Sequence, residues 1–441
     1  MSKFVKLKDV CLKITDGAHY SPIGISKGFP MFSVKDMRHS GFDYSDCKYI
    51  SESDYKDLVK ADCKPKIHDV LIAKDGSYLK HVFVVKEEKD EVILSSIGIL
   101  RPHLNKVNPY YLKYFLHINS VKETVSKKYV SGSALPRIIL KNFAEIEIVN
   151  NDLPTQQKIA SVLSALDDKI ELNNRINAEL EAMAKTLYDY WFVQFDFPNS
   201  PPLEGWQNSK NFDGVVGYKS SGGKMVYNET LKREIPEGWE MKTIGDYCKS
   251  TGGFAFKSSW WTDNGMPVVK IKDIQEDYTI NLSDLAFVDI SDKNIDDKFK
   301  AKPGDVLIAM TGATVGKYAI VPYTEKPLYV NQRVGYFNLG IKPEKKLPFL
   351  INSLNQKYFR ESVFTLASGA AQPNISNEQI NNIQLLLPSK EIIELYNKVF
   401  EPYYSKILLN QKQNQELSAL RDWLLPMLMN GQVKVENNSL N

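Results

Sequence analysis

Residues Thr155 to Trp191 place apolar side chains at Ile159, Leu163, Leu166, Ile170, Leu180, Leu187 and Trp191. Steps of four and three form the seam of a long helix that packs on another long helix. Two seam positions, Asn173 and Asn177, carry amides instead. The distant segment KILLNQKQNQELSALRDWLLPML has the same layout. Ile407, Leu417 and Leu424 stand 237 residues after Ile170, Leu180 and Leu187, and Asn410 and Asn414 stand 237 after the two asparagines. One seam amide is unremarkable, but the same pair in two distant helices indicates two halves of an internally repeated protein. Asn173, Asn177, Asn410 and Asn414 are then register residues. They fix which side chains face each other, at some cost in stability.

Three more blocks keep this spacing to within one residue. GFPMFSVKDM (28–37) aligns with GMPVVKIKDI (265–274), KIHDVLIAKDGS (66–77) with KPGDVLIAMTGA (302–313), and VSGSALPRI (130–138) with ASGAAQPNI (367–375). The offset slips to 234 only at the Leu-Pro steps Leu153 and Leu387. The repeating unit is a globular domain followed by a long helix. The expected fold class is α+β, with two similar α/β domains and two long helices forming an antiparallel coiled coil within the chain. The boundaries are 1–152, first domain; 153–195, first long helix; 196–233, a Pro/Gly/Ser connector; 234–386, second domain; 387–430, second long helix; and 431–441, a tail. Within the first domain, 31–37, 68–76 and 82–100 read as strands, 109–129 as a helix and 143–149 as a closing strand.

The chain has 441 residues, 43% apolar and 25% charged, as for a water-soluble globular protein. It has no run of eighteen apolar residues and no apolar core in MSKFVKLKDV, so neither a membrane span nor a secretory signal is expected. The four cysteines lack CxxC spacing and read as reduced cytosolic thiols, which places the chain in the cytoplasm. The six histidines lie in the first half without metal-ligand spacing, so no metal is expected. The net charge of +3 hides an asymmetry. Residues 1–150 hold 24 Lys and Arg against 18 Asp and Glu, whereas residues 236–386 hold 17 against 17. A nucleic-acid surface on the second domain must therefore be a local basic face.

DVLIAMTGATVGKY (305–318) mimics a phosphate-binding P-loop. Its glycine spacing is one residue short, however, and Tyr318 stands where a Ser or Thr must hold magnesium. A strand and glycine turn explain it better. In that turn Thr311, Thr314, Lys317 and Tyr318 are candidate donors to a phosphate backbone, matched in the first half by Lys74, Ser77, Tyr78 and Lys80. TGGFAFKSSWW (251–261) offers Phe254 and Lys257 on a flexible glycine pair, although at least two of Phe254, Phe256, Trp260 and Trp261 are expected to be core. Asn331, Gln332 and Arg333 are side chains that can read adenine and guanine edges, and a polar strand edge explains them equally well. Ser131, Ser133, Arg137 and Gln372 in the twin SGxA segments join the candidates. So do Lys35, Lys270 and Lys272, the lysines of blocks 28–37 and 265–274. No glycine-rich cofactor motif, Asn/Asp-Pro-Pro-aromatic motif or credible nuclease centre occurs, so no catalytic residue is assigned.

LPTQQKIASVLSALDDKIELNN (153–174), IPEGWE (235–240), the twin DVLIA strands and the twin SGxAxP loops, in this order, resemble the specificity subunit of type I restriction-modification systems. The resemblance spans essentially the whole chain. LPSKEIIELYNKVFEP (387–402) departs from it, because it lacks the glutamine pair of the first copy. The resemblance implies that each domain is a target recognition domain reading one half of a split, asymmetric DNA sequence. It further implies two docked methyltransferase subunits using S-adenosylmethionine, ATP- and Mg-dependent restriction subunits as further partners, and no catalysis or cofactor on this chain. A helix from Ile159 to Trp191 spans about 50 Å, against roughly 35 Å for one DNA turn. The competing readings are a DNA-modifying enzyme, such as a fused restriction-methylation protein, and a coiled-coil adaptor without a nucleic-acid role.

Overall fold

The structure, a computed structural model, describes residues 4–75, 79–131, 137–198, 217–275, 277–368 and 372–435. The chain divides into two units, one of residues 1–170 with 416–441 and one of 171–415. Each unit therefore holds one globular domain together with parts of both long helices, a division that cuts across the sequence-derived boundaries.

In the first domain DVLIA becomes the buried strand Val70–Ala73, paired with Val82–Val84 and Ile97–Pro102; Cys11–Asp16 adds to the far side of Ile97–Pro102. The second domain repeats this antiparallel sheet with Ser250–Gly252, Val334–Phe337, Val306–Ala309 and Tyr318–Ile320. The Asp before each DVLIA strand folds its turn. Asp69 Oδ2 accepts from Lys66 N at 2.9 Å, and Asp305 Oδ2 from Lys302 N at 2.9 Å. A second sheet in each domain pairs one strand antiparallel and another parallel: Phe29–Phe32 with Lys48–Ile50 and Val92–Ile93, and Met266–Val269 with Ala286–Val288 and Leu328–Val330.

Three expectations shift. The strand in 31–37 stops at Phe32, because Asp36 accepts from Ser33 N at 2.7 Å and winds Val34–Asp36 into a 3-10 turn. The helix expected over 109–129 is two, Pro109–His117 and Asn119–Tyr129, broken where Ile118 adopts an extended conformation. The closing strand is only Glu147–Val149, paired antiparallel with Phe4–Lys6. Glu240–Thr243 and Gln384–Leu387 close the second domain in the same way.

The long helices are Leu153–Tyr188, 36 residues, and Lys390–Met429, 40 residues. At 1.5 Å per residue they are roughly 54 and 60 Å long. The first ends in a widened π turn, Asp189–Val193, that buries Trp191. Ile159, Leu163, Asn173 and Asn177 are buried along it at expected seam positions, as is Ala184, whereas Leu166, Ile170, Leu180 and Leu187 are half-buried. The seam is antiparallel in each unit. In the second unit Asn173 Nδ2 donates to Asn414 Oδ1 (2.8 Å) and Gln413 Oε1 (2.9 Å), and Asn410 Nδ2 donates to Asn177 Oδ1 at 2.8 Å. Exchanging each asparagine for its repeat partner turns the Asn173–Asn414 bond into the Asn410–Asn177 bond, so the amides obey the pseudo-symmetry of the repeat. In the first unit Asp167 accepts from Arg421 Nη1 at 2.8 Å across the same seam.

How each long helix begins differs between copies. Buried Gln156 ties the first to its domain, accepting from Asn108 N (2.8 Å) and donating to the carbonyls of Lys106 (3.2 Å) and Asn151 (2.8 Å). The second copy, lacking that glutamine, uses Asn397 further along its helix, whose Oδ1 accepts from Phe349 N at 2.9 Å.

Candidate nucleic-acid interface

The second domain gathers its candidates where several strand ends meet. Gly253 must be glycine, because a Cβ would lie 2.3 Å from the carbonyl oxygens of Val330 and Asn331. This close approach lets Phe254 N donate to Val330 O (2.8 Å) and Gln332 N to Phe254 O (3.0 Å). Val334 N donates to Asn331 O at 2.9 Å, closing a tight turn whose outer residues, Gln332 and Arg333, are exposed. Met310 N donates to Arg333 O (3.1 Å), Ile375 N to Met310 O (2.9 Å), and Gly312 N to Pro373 O (2.9 Å). These bonds draw the Thr311 turn and exposed Gln372 to the same edge. Gln332, Arg333 and Gln372 are thus brought together. An amide and a guanidinium can each make two hydrogen bonds to one base edge.

Beside this edge lies an aromatic loop. Phe254, Phe256, Trp260 and Trp261 are all partly buried rather than divided between core and surface. Phe256, Trp260 and Trp261 pack against Val268, Val288 and Tyr329. The Lys270 ammonium sits 3.6 Å from the Trp261 ring centroid, and its pKa is lowered by burial. Exposed Lys257 lies 5.8 Å from the Trp260 ring centroid.

The turn after Val306–Ala309 is the 3-10 turn Gly312–Thr314, and the next element is the strand Tyr318–Ile320. A P-loop needs a helix there to receive the phosphate, so the resemblance of 305–318 to one fails. The candidates in this turn need correction. Tyr318 is buried and stacked on Tyr278 at 4.8 Å, with its hydroxyl away from solvent. Thr311 Oγ1 is buried too, while Thr314 and Lys317 are half-buried.

In the first domain Lys74 is also corrected. It is buried, and its ammonium is held by Asp16 at 2.6 Å instead of facing solvent. Lys35 and Lys272 are exposed at equivalent turns, with Lys35 3.8 Å from Asp46 and Lys272 2.7 Å from Asp284. Lys80 is exposed. Ser77, Tyr78 and Ser133 lie outside the described residues. The backbones of Ser131 and Arg137 pair on a short antiparallel ladder, Val130–Ser131 with Arg137–Ile138.

Two first-domain residues were missed. Ser95 N donates to Ala18 O at 2.8 Å, matching Gln332 N to Phe254 O, so Ser95 occupies the place of Gln332. His19, with its side chain 77% exposed, extends from the same loop, and its Nε2 lies 3.1 Å from the Asp16 carboxylate that also pairs with Lys74. Aligning GAHY (17–20) with GFAF (253–256) would have found His19, and aligning LSSIG (94–98) with NQRVG (331–335) would have found Ser95. Among the described residues no cluster of three His, Cys, Asp or Glu could hold a metal, and no helix is long and apolar enough to cross a membrane.

The type I restriction modification DNA specificity domain model matches residues 2–182 and again 236–419. The chain is 28% identical over 399 residues to the type I restriction enzyme HindI specificity subunit of Haemophilus influenzae, covering 80% of this chain and 84% of that one. It is 25% identical over 415 residues to the MjaVIII specificity subunit of Methanocaldococcus jannaschii, covering 92% and 90%. The crystal structure of the type I restriction-modification S subunit from M. genitalium shares the fold at a TM-score of 0.53 and 15% identity, over 96% of this chain and 95% of that one. With the domain present twice, each copy ending in a long seam helix, the chain belongs to the family of type I restriction-modification specificity subunits.

Proposed function

We propose that each globular domain reads one half of a bipartite, asymmetric DNA target and that the outer faces of the long helices dock two methyltransferase subunits. The observation that supports this most is one scaffold carrying two chemistries. The same strand ends present Gln332 and Arg333 in the second domain but Ser95 and Ser96 in the first, where His19 also stands at the place of Ala255. Backbone bonds shared by both copies set the position, and unlike side chains then favour unlike bases. The chain has no catalysis and no cofactor of its own in this reading. S-adenosylmethionine belongs to the methyltransferase subunits, and ATP and Mg to the restriction subunits of a complete complex, all in the cytoplasm.

The test is co-expression with the cognate methyltransferase subunit and mapping of methylated adenines genome-wide. Arg333→Ala is expected to relax one position of one half-site, losing about 1–3 kcal/mol of discrimination there, with the other half-site intact. Relaxation in both halves, or in neither, overturns the assignment of one half-site to each domain. Purified chain that methylates DNA with S-adenosylmethionine alone would establish instead the competing reading of a DNA-modifying enzyme.

A further inference from the structure

The first unit contains a pocket of about 410 Å3 built on Asp167 of the first long helix. Asp167 Oδ2 accepts from Lys113 Nζ and Tyr114 Oη, each at 2.7 Å, and Oδ1 accepts from Arg421 Nη1 at 2.8 Å. His39 Nε2 stands 3.7 Å from the same carboxylate, and Arg421 Nε also donates to Asp422 Oδ1 at 2.9 Å. Lys122 and Lys80 complete the charged lining, and burial lowers the pKa of the adjoining His117 to about 3, which keeps it neutral. Beside the two histidines, four cations (Lys80, Lys113, Lys122 and Arg421) face two carboxylates, Asp167 and Asp422. Burial holds Lys122 below the usual lysine range, and the attraction of Asp422 only partly offsets it. Burial lowers Lys113 as well, despite its contact with Asp167. The pocket is short of negative charge.

The second copy supplies an internal control. KETV (122–125) aligns with RESV (360–363), which sets Ile351 against Lys113, Asn352 against Tyr114 and Asn355 against His117. Along the long helices Tyr404 replaces Asp167 and Ala184 replaces Arg421. The contact between helices persists with neutral partners, Asn352 Nδ2 donating to Tyr404 Oη at 3.1 Å. Arg360, the counterpart of Lys122, donates to Asn355 Oδ1 at 2.7 Å and Tyr278 Oη at 3.3 Å. The scaffold thus closes without Asp167, Lys113 or Arg421. Neutral groups at such a position are commonly as stabilising as charges, or more so. Fold stability does not explain the charged lining of the first copy.

We propose that this pocket is a phosphate-binding site, with Lys122, Lys80 and Arg421 around the bound group. At the equivalent place in the second copy Tyr404, Ile351 and Ala184 stand for Asp167, Lys113 and Arg421, so the site makes the two halves functionally unequal. Lys80 follows the turn beside Val70–Ala73, on the domain proposed to read DNA, and this favours a backbone phosphate of the bound duplex. The choice of source rests on that reading. The same chemistry accepts a free phosphate or pyrophosphate, and the experiment separates the two.

Full-length chain carrying Lys122→Ala or Lys122→Gln is compared with wild type for binding to a random-sequence duplex across a salt series, read by fluorescence anisotropy. Loss of one phosphate contact is expected to reduce the slope of log K against log salt by about 1. Lys357→Ala removes an exposed lysine of the second unit and should leave the slope unchanged. In a second arm, pyrophosphate is titrated into DNA-free protein by calorimetry. A reduced slope in both Lys122 variants supports the DNA source. An unchanged slope with pyrophosphate binding that both variants lose supports the free-phosphate source. Unchanged slopes without Lys122-dependent pyrophosphate binding overturn the pocket while leaving DNA reading intact. Wild type that ignores duplex but binds pyrophosphate through Lys122 overturns DNA reading and keeps the pocket.

Discussion

Replacing Gln156 with alanine should loosen the first domain from its long helix. The side chain is 2% exposed and serves three backbone groups: the N–H of Asn108 and the carbonyls of Lys106 and Asn151. Truncation strips all three at once. A buried backbone group left unpaired costs about 1–3 kcal/mol. Water reaching part of the new space offsets some of this, so the expected loss is about 3 kcal/mol for the three together. In a unit of roughly 200 residues that corresponds to a fall in melting temperature of about 6–12 °C. Gln156→Glu should not rescue, because a carboxylate still accepts from Asn108 N but repels the two carbonyls. Differential scanning calorimetry gives the magnitude, and hydrogen exchange by mass spectrometry gives the place. Faster exchange is expected in peptides spanning 106–118 and 151–163, with the second domain unaffected. A melting shift under 2 °C, or unchanged exchange in those peptides, would refute the claim that this side chain fastens the helix to the domain.

Two further predictions concern the long helices. Asn173→Leu with Asn410→Leu gains apolar burial but leaves Asn177 and Asn414 short of their partners, so little net change in melting temperature is expected, whereas leucine at all four positions should raise it. An unchanged DNA spacer preference and oligomeric state in the fourfold variant would count against a register role. Glu181, on the first long helix, is raised from 4.5 to about 7 by burial and by the nearby Asp277 carboxylate. Its folded value lies above its unfolded one, so folding takes up a proton between them and stability falls as pH rises from 4.5 to about 7. The full loss is about 3 kcal/mol. Glu181→Gln should remove that slope and melt higher than wild type at pH 8. A variant with the wild-type pH profile would show that Glu181 is not strained in the folded chain.

The repeat and the helical seam were readable from sequence because both are periodic. Asn173, Asn177, Asn410 and Asn414 stand out by type at positions that apolar residues otherwise occupy, and their antiparallel pairing follows once the two helices are assigned to each other. DVLIA was readable as a buried strand because four consecutive apolar residues bounded by Asp and a turn have few other uses. Individual contacts were less legible. Lys74 and Tyr318 were singled out as a lysine and a hydroxyl in a loop, yet Lys74 turns inward to Asp16 and Tyr318 stacks on Tyr278. A carboxylate 58 residues upstream fixes the first, and no local pattern encodes that distance. His19 and Ser95 look ordinary as residues; what marks them is their place in the repeat, which the backbone bonds shared with Phe254 and Gln332 make plain.

The sequence by itself determined the architecture. Hydrophobic spacing is set by the 3.6- and 2-residue periods of helix and strand, so two domains, two seam helices and their duplication can be read from one chain. The tertiary structure alone decided which polar side chains are available. Lys74 and Lys122 are both lysines of the same domain, yet one is neutralised by a buried aspartate and the other lines a pocket with too little negative charge. The same scaffold holds Asp167, Lys113 and Arg421 in one copy and Tyr404, Ile351 and Ala184 in the other, and only their shared position shows these to be alternative answers to one packing problem. The physical reason is range. Periodicity is a property of neighbours in sequence, whereas burial and charge compensation are set by groups that folding alone brings within a few ångströms.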